Sequence, residues 1–229
     1  MVTTGSMIVP LPLIAAWEDK GVPVVQVYGS TETCPVAAYT RPGEGKSNPR
    51  STGRAGCASA LRIVDAEGNP VPDGEDGEIE VRGDHVMEGY WRRPNETAVA
   101  FRDGWFRTGD IGALDDDGNL YFKERSKHMI ISGGENIYPA EIERVLAAIP
   151  GVAECAVCGI PDDRWGEVPA AALVAKGSAQ LKEDDVRAVL SKSLARFKHP
   201  KLICFLDALP RNVMGKVVHD DLRTVLLGK

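Results

Sequence analysis

The sequence predicts a chain of mixed α/β and α+β class, made of three consecutive pieces. A short helical segment near residue 11 precedes an apolar run that ends in a small polar loop, as in a parallel α/β unit. Short strands separated by turns rich in Gly, Pro, Asp and Asn fill residues 50–124. From about residue 127, helical and strand patterns alternate. We therefore expect a parallel α/β piece, then a β-rich, barrel-like subdomain, then a small α+β domain.

The first piece contains one predicted helix and one predicted strand. Leu11–Lys20 has a helical pattern, and Val22–Tyr28 is an apolar run typical of a strand buried on both faces. The loop Gly29–Thr33 follows at the carboxyl end of that strand. Because ligands of open α/β sheets bind at the carboxyl ends of strands, this loop is a candidate binding segment.

The later elements follow from alternation and from spacings of three and four residues. In the middle piece the predicted strands are Leu61–Asp65, Gly77–Arg82 and Leu120–Lys123. In the last piece we expect helices near 139–149, 186–194 and 218–226. Strands are expected at about 153–160, 169–175 and 202–206.

Composition excludes several classes of protein. With 43% hydrophobic and 26% charged residues, the 229-residue chain is not intrinsically disordered. No apolar run approaches the roughly 20 residues of a membrane helix, and the first residues lack the basic start of a signal peptide, so we expect a cytoplasmic protein without a transmembrane segment. A net charge of −6 argues against nucleic acid as a partner. The charge is uneven, since residues 1–124 carry 12 basic and 20 acidic side chains and residues 125–229 carry 15 and 13.

The five cysteines do not predict disulfides or a metal site. Their spacing is irregular, unlike a disulfide framework. Cys155 and Cys158 form a Cys-x-x-Cys within a predicted strand, where a separation of three places the thiols on opposite faces. We expect reduced core cysteines rather than a redox pair or zinc ligands. The four histidines are too dispersed to predict a metal centre.

Four segments together resemble the adenylate-forming (AMP-binding) superfamily, which includes acyl-CoA synthetases, adenylation domains of peptide synthetases, and luciferases. They are Tyr28-Gly-Ser-Thr-Glu32, Trp105-Phe-Arg-Thr-Gly-Asp110, the long segment 124–143, and Asn212-Val-Met-Gly-Lys216. Each alone is a weak match, but their order and spacing are highly specific and cover essentially the whole chain. Gly133-Gly-Glu-Asn-Ile-Tyr-Pro139 looks most like fatty-acid or aryl acyl-CoA synthetases.

The resemblance implies an ATP-dependent ligase. Such enzymes join a carboxylic acid to AMP, release pyrophosphate, and transfer the acyl group to coenzyme A. It therefore implies a small-molecule carboxylic acid, ATP and coenzyme A as partners and Mg²⁺ as the metal. Because a carboxylate must attack a polyphosphate that is itself anionic, cations and Mg²⁺ have to neutralise charge.

The same resemblance assigns roles to the loop after the first strand. Glu32 would ligate Mg²⁺, Thr31 would offer its hydroxyl to the α-phosphate, and Tyr28 would present its ring to adenine. Gly29 and Ser30 would complete the nucleotide-binding loop. From the residues alone, a solvated turn beside a packed tyrosine remains the alternative.

Asp110 and Arg125 are the other residues implied to bind nucleotide. Asp110 would accept hydrogen bonds from the ribose hydroxyls and is expected at the start of a hairpin, where capping the turn is the alternative role. Arg125 would lie near the ribose and phosphate. Glu124 precedes it where many members of the superfamily have Gly or Asp.

The resemblance divides the chain at Lys127. Residues 1–126 would be the end of a large adenylate-forming domain, with 1–49 as its α/β piece and 50–124 as its β-rich subdomain. Residues 127–229 would be a small mobile domain that swings about Lys127 as the hinge. An exposed linker lysine is the alternative.

Lys216 and two glycines are implied to act in different half-reactions. Lys216 would bridge the carboxylate and the α-phosphate during adenylation, although a surface lysine is the alternative. Gly133 and Gly134 would line the passage for the pantetheine arm of coenzyme A. The basic stretch Arg196–Lys201 either meets the phosphates of coenzyme A or is a solvated helix end.

One feature of the superfamily has no counterpart in the sequence. The loop rich in Ser, Thr and Gly that grips the outer phosphates does not occur in residues 1–27. We therefore expect a fragment of a longer synthetase that does not catalyse the full reaction alone. The alternative is a stand-alone, non-catalytic module that binds AMP or coenzyme A.

Overall fold

The computed structural model describes residues 1–5 and 9–228. It consists of two compact units, Met1–Ser126 and Lys127–Lys229. Each unit has its own sheets and its own buried apolar core. No helix among the described residues is both long enough and apolar enough to cross a bilayer.

The first sheet of the Met1–Ser126 unit has four strands in the order β1-β2-β3-β4. The elements are β1 (Val2–Thr4), α1 (Leu11–Glu18), β2 (Val24–Tyr28), β3 (Ala38–Tyr39), α2 (Glu44–Ser47) and β4 (Arg54–Ala55). β1 and β2 are parallel, which confirms the predicted α/β piece, while the other two pairings are antiparallel. The predicted strand begins late, at Val24, because the amide of Val22 donates to the carbonyl of Trp17 and closes the end of α1.

The second sheet of this unit is antiparallel and forms the predicted β-rich subdomain. Its strands run in the order β5-β6-β8-β7, and β9 also pairs with β8. The predicted strands match β5, β6 and β9 at their starts to within one residue. The elements are β5 (Ala60–Val64), β6 (Gly77–Arg82), α3 (Pro94–Ala100), β7 (Phe101–Arg102), β8 (Trp105–Leu114) and β9 (Leu120–Arg125).

A buried carboxylate lies in the middle of this second sheet. Glu80 is fully buried, and the cross-strand register places it opposite Arg62. The Arg62 guanidinium lies 2.6 Å from Oε2 of Glu80, and Arg102 lies 3.7 Å from Oε1. Arg62 also stacks over the ring of Trp105, 4.5 Å from its centroid. Since a buried charge without a partner is costly, these arginines are what allow Glu80 to occupy the sheet.

The Glu80→Ala variant should lose about 3 kcal/mol of unfolding free energy, at the lower end of the range for breaking a buried ion pair because both arginines keep some exposure. Urea denaturation measures the loss. The matched control is Glu96→Ala, which removes an exposed pair with Arg93 and should change stability by less than about 0.5 kcal/mol. Equal effects of the two variants would contradict a structural role for Glu80.

The second unit contains a five-stranded sheet in the order β11-β10-β13-β12, and β14 pairs in parallel with β13. Strand β13 is its centre, because it forms a long hairpin with β12 and also pairs with β10 and β14. The pattern predicted from the sequence is present, with small shifts at the ends. The elements are β10 (Ile130–Ser132), β11 (Glu135–Ile137), α4 (Pro139–Ala147), β12 (Val152–Asp162), β13 (Gly166–Ala175), α5 (Glu183–Ser193), β14 (Leu202–Phe205) and α6 (His219–Leu226).

Helices cover both faces of this sheet. On one face, Leu146 of α4 and Leu190 of α5 pack with buried residues of the strands, and on the other face Leu222 of α6 does so. Cys155 packs against the first core and Cys158 belongs to the second, which confirms that the two thiols lie on opposite faces. Burial raises the pKa of Cys155 to about 12 and that of Cys158 to about 11. Both therefore remain protonated thiols at neutral pH.

Candidate functional site

Three of the predicted nucleotide-binding residues meet in the first unit. Strands β8 and β9 are in a register that places Asp110 directly opposite Arg125. Tyr28, the last residue of β2, reaches the same carboxylate from the other sheet, and its hydroxyl donates to Oδ2 of Asp110 at 2.8 Å. Residues 82 positions apart in the sequence therefore converge on one acidic group.

Asp110 is where the predicted hairpin begins, because the antiparallel pairing of β8 with β9 starts at Asp110 opposite Arg125. It also lies inside the ten-residue strand β8, and only 6% of it is exposed. The hydroxyl of Thr108 donates to the carbonyl of Ile79 and accepts from the amide of Asp110, so Thr108 and Gly109 form an irregularity within the strand rather than a turn. Burial in a sheet makes Asp110 a fixed acceptor instead of a turn cap.

Burial raises the pKa of Asp110, even though Arg125 and the hydroxyl of Tyr28 both act to lower it. The charges of Glu124 and Glu78 raise it further. Nε of Arg125 lies 2.8 Å from Oδ1 of Asp110, but the atoms are not aligned for a hydrogen bond, and among the described residues Oδ1 has no hydrogen-bond donor. This oxygen retains the capacity to accept hydrogen bonds from a ligand.

Tyr28 is packed rather than open. It is 8% exposed, and its ring lies tilted against Phe122 with 6.1 Å between the centroids. Burial, together with the charge of Asp110, raises the pKa of its hydroxyl well above the ordinary value, so the hydroxyl remains a donor. In the structure Tyr28 binds Asp110 through its hydroxyl. Its contact with adenine stays a prediction.

The loop after β2 is shaped by close backbone contacts. At Gly29 a Cβ atom would overlap the carbonyl oxygen of Pro35, so the position accepts only glycine. Thr33 closes the loop, since its hydroxyl accepts from the amide of Ser30. Oγ of Ser30 is buried beside it. Thr31, one residue further, is exposed.

Glu32 is held by a residue that the sequence did not indicate. The hydroxyl of Tyr90 donates to Oε1 of Glu32 at 3.1 Å, and the amide of Met87 donates to the Glu32 carbonyl. Partial desolvation acts to raise the pKa of Glu32, but hydrogen bonds to the carboxylate, including the one from Tyr90, outweigh it and lower the pKa. Glu32 is therefore an ionised carboxylate at neutral pH.

The acidic side chains of the candidate site indicate which metal ion it suits. Within residues 1–5 and 9–228 no three His, Cys, Asp or Glu side chains cluster as ligands. A single ionised carboxylate such as Glu32 suits Mg²⁺, which commonly binds through one or two carboxylates together with substrate phosphates. The donor set therefore fits Mg²⁺ arriving with a nucleotide and does not fit a protein-only cage.

A cleft of about 230 Å³ lies beside the same loop. No sequence pattern distinguished its lining, because the residues come from two parallel strands and from the segment after the loop. It is bordered by Thr3, Thr4, Gly5, Val27, Gly29, Pro35 and Val36.

In the second unit, Lys216 lies on a short hairpin three residues before α6. Arg211 and Val217 pair as an isolated bridge, and the amide of Lys216 donates to Oδ1 of Asn212 at 3.0 Å. The guanidinium of Arg211 also holds the carbonyl of Gly215. Lys216 is exposed, and no carboxylate of the described residues pairs with its ammonium. The backbone at this position is thus fixed while the side chain extends from it.

Gly133 and Gly134 form the turn between β10 and β11, and both have positive φ. A Cβ atom at Gly133 would lie 2.6 Å from the ring of Trp165, and the Gly133 amide donates to the Trp165 carbonyl at 2.9 Å. Trp165 is 45% exposed and carries Arg164 over its ring. The turn is therefore a glycine surface beside an aromatic side chain.

The remaining predicted residues are near the start of the second unit and in the basic stretch. Lys127 is its first residue and is exposed. Of the basic stretch, Lys198 pairs with Glu141 and Lys201 with Asp162. These two ammonium groups already have carboxylate partners, as expected of a surface segment.

Two family models match separate parts of the chain. The family model described as "AMP-binding enzyme" matches residues 1–91, and the one described as "AMP-binding enzyme C-terminal domain" matches residues 141–216. The chain belongs to this family, which confirms the resemblance to the adenylate-forming superfamily.

The chain is also similar in sequence to curated CoA ligases. Over 229 residues the chain is 50% identical to the indoleacetate–CoA ligase of Aromatoleum aromaticum, and over 96% of its length it is 43% identical to the feruloyl-CoA synthase of Amycolatopsis sp. The match to the indoleacetate–CoA ligase includes all of this chain but only 45% of that enzyme. The chain therefore spans about half the length of the curated relatives it matches.

Solved structures confirm the predicted fold class. The o-succinylbenzoate–CoA synthetase of Bacillus subtilis, solved with an acyl-adenylate intermediate, matches with a TM-score of 0.91 at 38% identity. The match covers 96% of this chain and 45% of that one. An amide bond synthetase from Marinactinospora thermotolerans matches with a TM-score of 0.90 at 31% identity, over 98% of this chain and 46% of that one.

Asp110 should titrate above the ordinary aspartate pKa of about 3.8, and Tyr28→Phe should raise that pKa further because it removes a hydrogen bond to the charged form. NMR detection of carboxyl carbons during an acid titration measures both values. Asp115 is the internal control. Its pKa is lowered by hydrogen bonds from Asn119, in spite of some desolvation, and should not change in the variant. A lower Asp110 pKa in Tyr28→Phe would contradict the arrangement.

Proposed function

We propose that the chain is part of an AMP-forming acyl-CoA ligase, which activates a carboxylic acid as acyl-AMP and transfers the acyl group to coenzyme A. The observation that carries the proposal is the buried Asp110 carboxylate, held by Tyr28 and Arg125 with one oxygen lacking a hydrogen-bond donor. Relatives of the chain that are named as CoA ligases support the same reaction. ATP, the acid and coenzyme A are then substrates.

Asp110 is proposed to select the nucleotide through its ribose. A fixed carboxylate accepts hydrogen bonds from two adjacent hydroxyls, which a base alone does not supply. Tyr28 and Arg125 keep the carboxylate in place and ionised, since both lower its pKa. Nearly half of the Arg125 side chain is exposed, and we propose that its guanidinium also contacts the phosphate.

The loop after β2 is proposed to bind the phosphates. Glu32 would hold Mg²⁺, which would screen the polyphosphate charge when bound. Thr31 and Ser30 would donate hydroxyl hydrogen bonds to phosphate oxygens. Tyr90 keeps Glu32 oriented and ionised.

Lys216 is proposed to act in the adenylation step. A carboxylate oxygen of the acid attacks the α-phosphorus of ATP, the bond to the bridging oxygen breaks, and pyrophosphate leaves with that electron pair. An ammonium that contacts both the acid and an α-phosphate oxygen stabilises the charge that accumulates between them. The exposed side chain on a fixed hairpin suits this task.

The second step is proposed to use the glycine turn. The sulfur of coenzyme A attacks the acyl carbon, AMP leaves with the electrons of the broken C–O bond, and the thiol proton is released to water. Gly133 and Gly134 would line the approach of the thin pantetheine arm, since neither carries a Cβ atom. Between the two steps, rotation of the backbone at Lys127 would withdraw Lys216 from the reacting groups and bring the glycine turn to them.

The acid is proposed to be an aryl or fatty carboxylic acid. The relatives reported above act, by their names, on indoleacetate and ferulate, and another relative at 43% identity is a long-chain fatty acid ligase of Mycobacterium tuberculosis. The apolar border of the cleft beside Gly29 agrees with an apolar acid. A cytoplasmic location stays a prediction.

The alternative is a non-catalytic module that binds AMP or coenzyme A, because the chain covers less than half of its relatives. Carboxylate-dependent pyrophosphate exchange on residues 1–229, beside calorimetric titration with AMP and with coenzyme A, tests whether this polypeptide adenylates an acid and whether it binds either ligand. We expect AMP to bind without exchange by this polypeptide alone. Exchange would show that the 229 residues suffice for adenylation, and the absence of all binding would contradict both functions.

In the protein at its full natural length, Lys216→Ala should lower the adenylation rate about a hundredfold or more, which is typical for loss of one charge-stabilising group. Thioester formation from preformed acyl-AMP should change less than about threefold. Lys192→Ala, an exposed lysine of α5, is the matched control and should leave both rates unchanged. Equal loss of both half-reactions in Lys216→Ala would exclude the assignment.

Gly133→Ala should show the opposite pattern, with thioester formation reduced at least tenfold and adenylation retained. Its Cβ meets the Trp165 ring and its φ of 60° is strained for alanine. Gly177→Ala is the control, because φ is 58° there and the added Cβ meets nothing within 4 Å. Separate rates for the two half-reactions measure the difference, and an equal effect of both variants would attribute the loss to backbone strain alone.

A further inference from the structure

A stacked pair of histidines connects two segments of the second unit that carry proposed functional residues. The rings of His128 and His219 are within 20° of parallel, and their centroids are 3.8 Å apart. Both side chains are partly buried. A face-to-face contact at this separation is at van der Waals distance over the whole ring, so it fixes the two backbone segments relative to each other.

His128 is at the start of the unit. It follows Lys127 directly and is two residues before Ile130, which is buried in the sheet as the first residue of β10. The ring therefore lies between the proposed hinge residue and the first strand that is held by the core. It contacts its partner at the point where the chain enters the rigid part of the unit.

His219 is the first residue of α6, three residues beyond Lys216. The intervening chain has little freedom, because the amide of Val218 donates to the carbonyl of Pro210 and the bridge of Arg211 with Val217 closes the hairpin. The Lys216 hairpin and the first residue of α6 are therefore held together as one piece.

We propose that the stack of His128 and His219 is a positioning device for Lys216. It connects the Lys216 hairpin to the segment that begins at Lys127, so that the hairpin follows the backbone at Lys127 as one body. This inference rests on the proposed function of Lys216 in adenylation. It assigns His128 and His219 no contact with substrate.

The stack is not what holds α6 on the sheet. Leu222 and Leu226 are buried in the core on that face, and the guanidinium of Arg223 donates to the carbonyl of Gly159 at 2.8 Å. Loss of one ring should therefore leave the unit folded. The effect should be confined to the residues between the hairpin and the first turn of α6.

The test compares half-reactions of the full-length protein. His219→Ala should lower the adenylation rate about threefold to tenfold with an unchanged KM for ATP, while thioester formation from acyl-AMP changes less than twofold. His219→Phe, which keeps a flat ring, should restore adenylation to within twofold of the wild type. Thr224→Ala, an exposed position on the same helix, is the control. Unchanged adenylation in His219→Ala, equal loss in both steps, or failure of the phenylalanine to rescue would overturn the proposal.

A second measurement separates this inference from the proposed function. Hydrogen exchange should be faster at the amides of Lys216 and Val218 in His219→Ala than in the wild type or His219→Phe, and unchanged at Leu226. If the wild type shows no adenylation, the proposed function fails. Amide hydrogen exchange alone then shows whether the stack positions the hairpin. Equal exchange at Lys216 in all three proteins would overturn the positioning role.

Discussion

The carboxylate of Asp110 is buried in a β-sheet, and the first unit is organised so that this charge is tolerated. An ionised carboxylate without partners would be expensive at 6% exposure. Arg125 supplies the opposite charge from the neighbouring strand, and Tyr28 supplies a hydrogen bond from a different sheet. Both contacts depend on strand register, since a shift of one residue would turn Arg125 to the other face. The geometry of this proposed ribose acceptor therefore depends on the pairing of β8 with β9.

The second unit separates rigid and exposed parts. Its sheet is covered by helices on both faces, and the candidate residues are all outside it, on the turn at Gly133 and on the hairpin of Lys216. Functional residues commonly lie on loops whose ends are fixed by a packed scaffold. The Lys216 hairpin follows this rule closely, because Asn212 and Arg211 bind its backbone and leave the ammonium unrestrained.

Much of this arrangement could be predicted because it is local. Strand alternation located β5, β6 and β12, and a separation of three residues placed Cys155 and Cys158 on opposite faces. The motif residues were recognised from their spacing. The structure added what depends on long-range pairing: the hydrogen bond from Tyr90 to Glu32 joins residues 58 apart, and no local pattern marks it. The hairpin expected at Asp110 is present, since the pairing of β8 with β9 begins there, but no local pattern indicated that β8 also extends back to Trp105.

The placement of the cysteines makes the two units chemically distinguishable. Cys34 and Cys57 are exposed on the first unit, whereas Cys155 and Cys158 are shielded thiols of the second. Since the thiolate is the reactive form, a maleimide dye would attach to the first pair and spare the second. With one exposed cysteine and the partly buried Cys204 of the second unit replaced by serine, a single fluorophore could be placed on the first unit. A second label on α5 would then give, by energy transfer, a direct measurement of the distance between the two units.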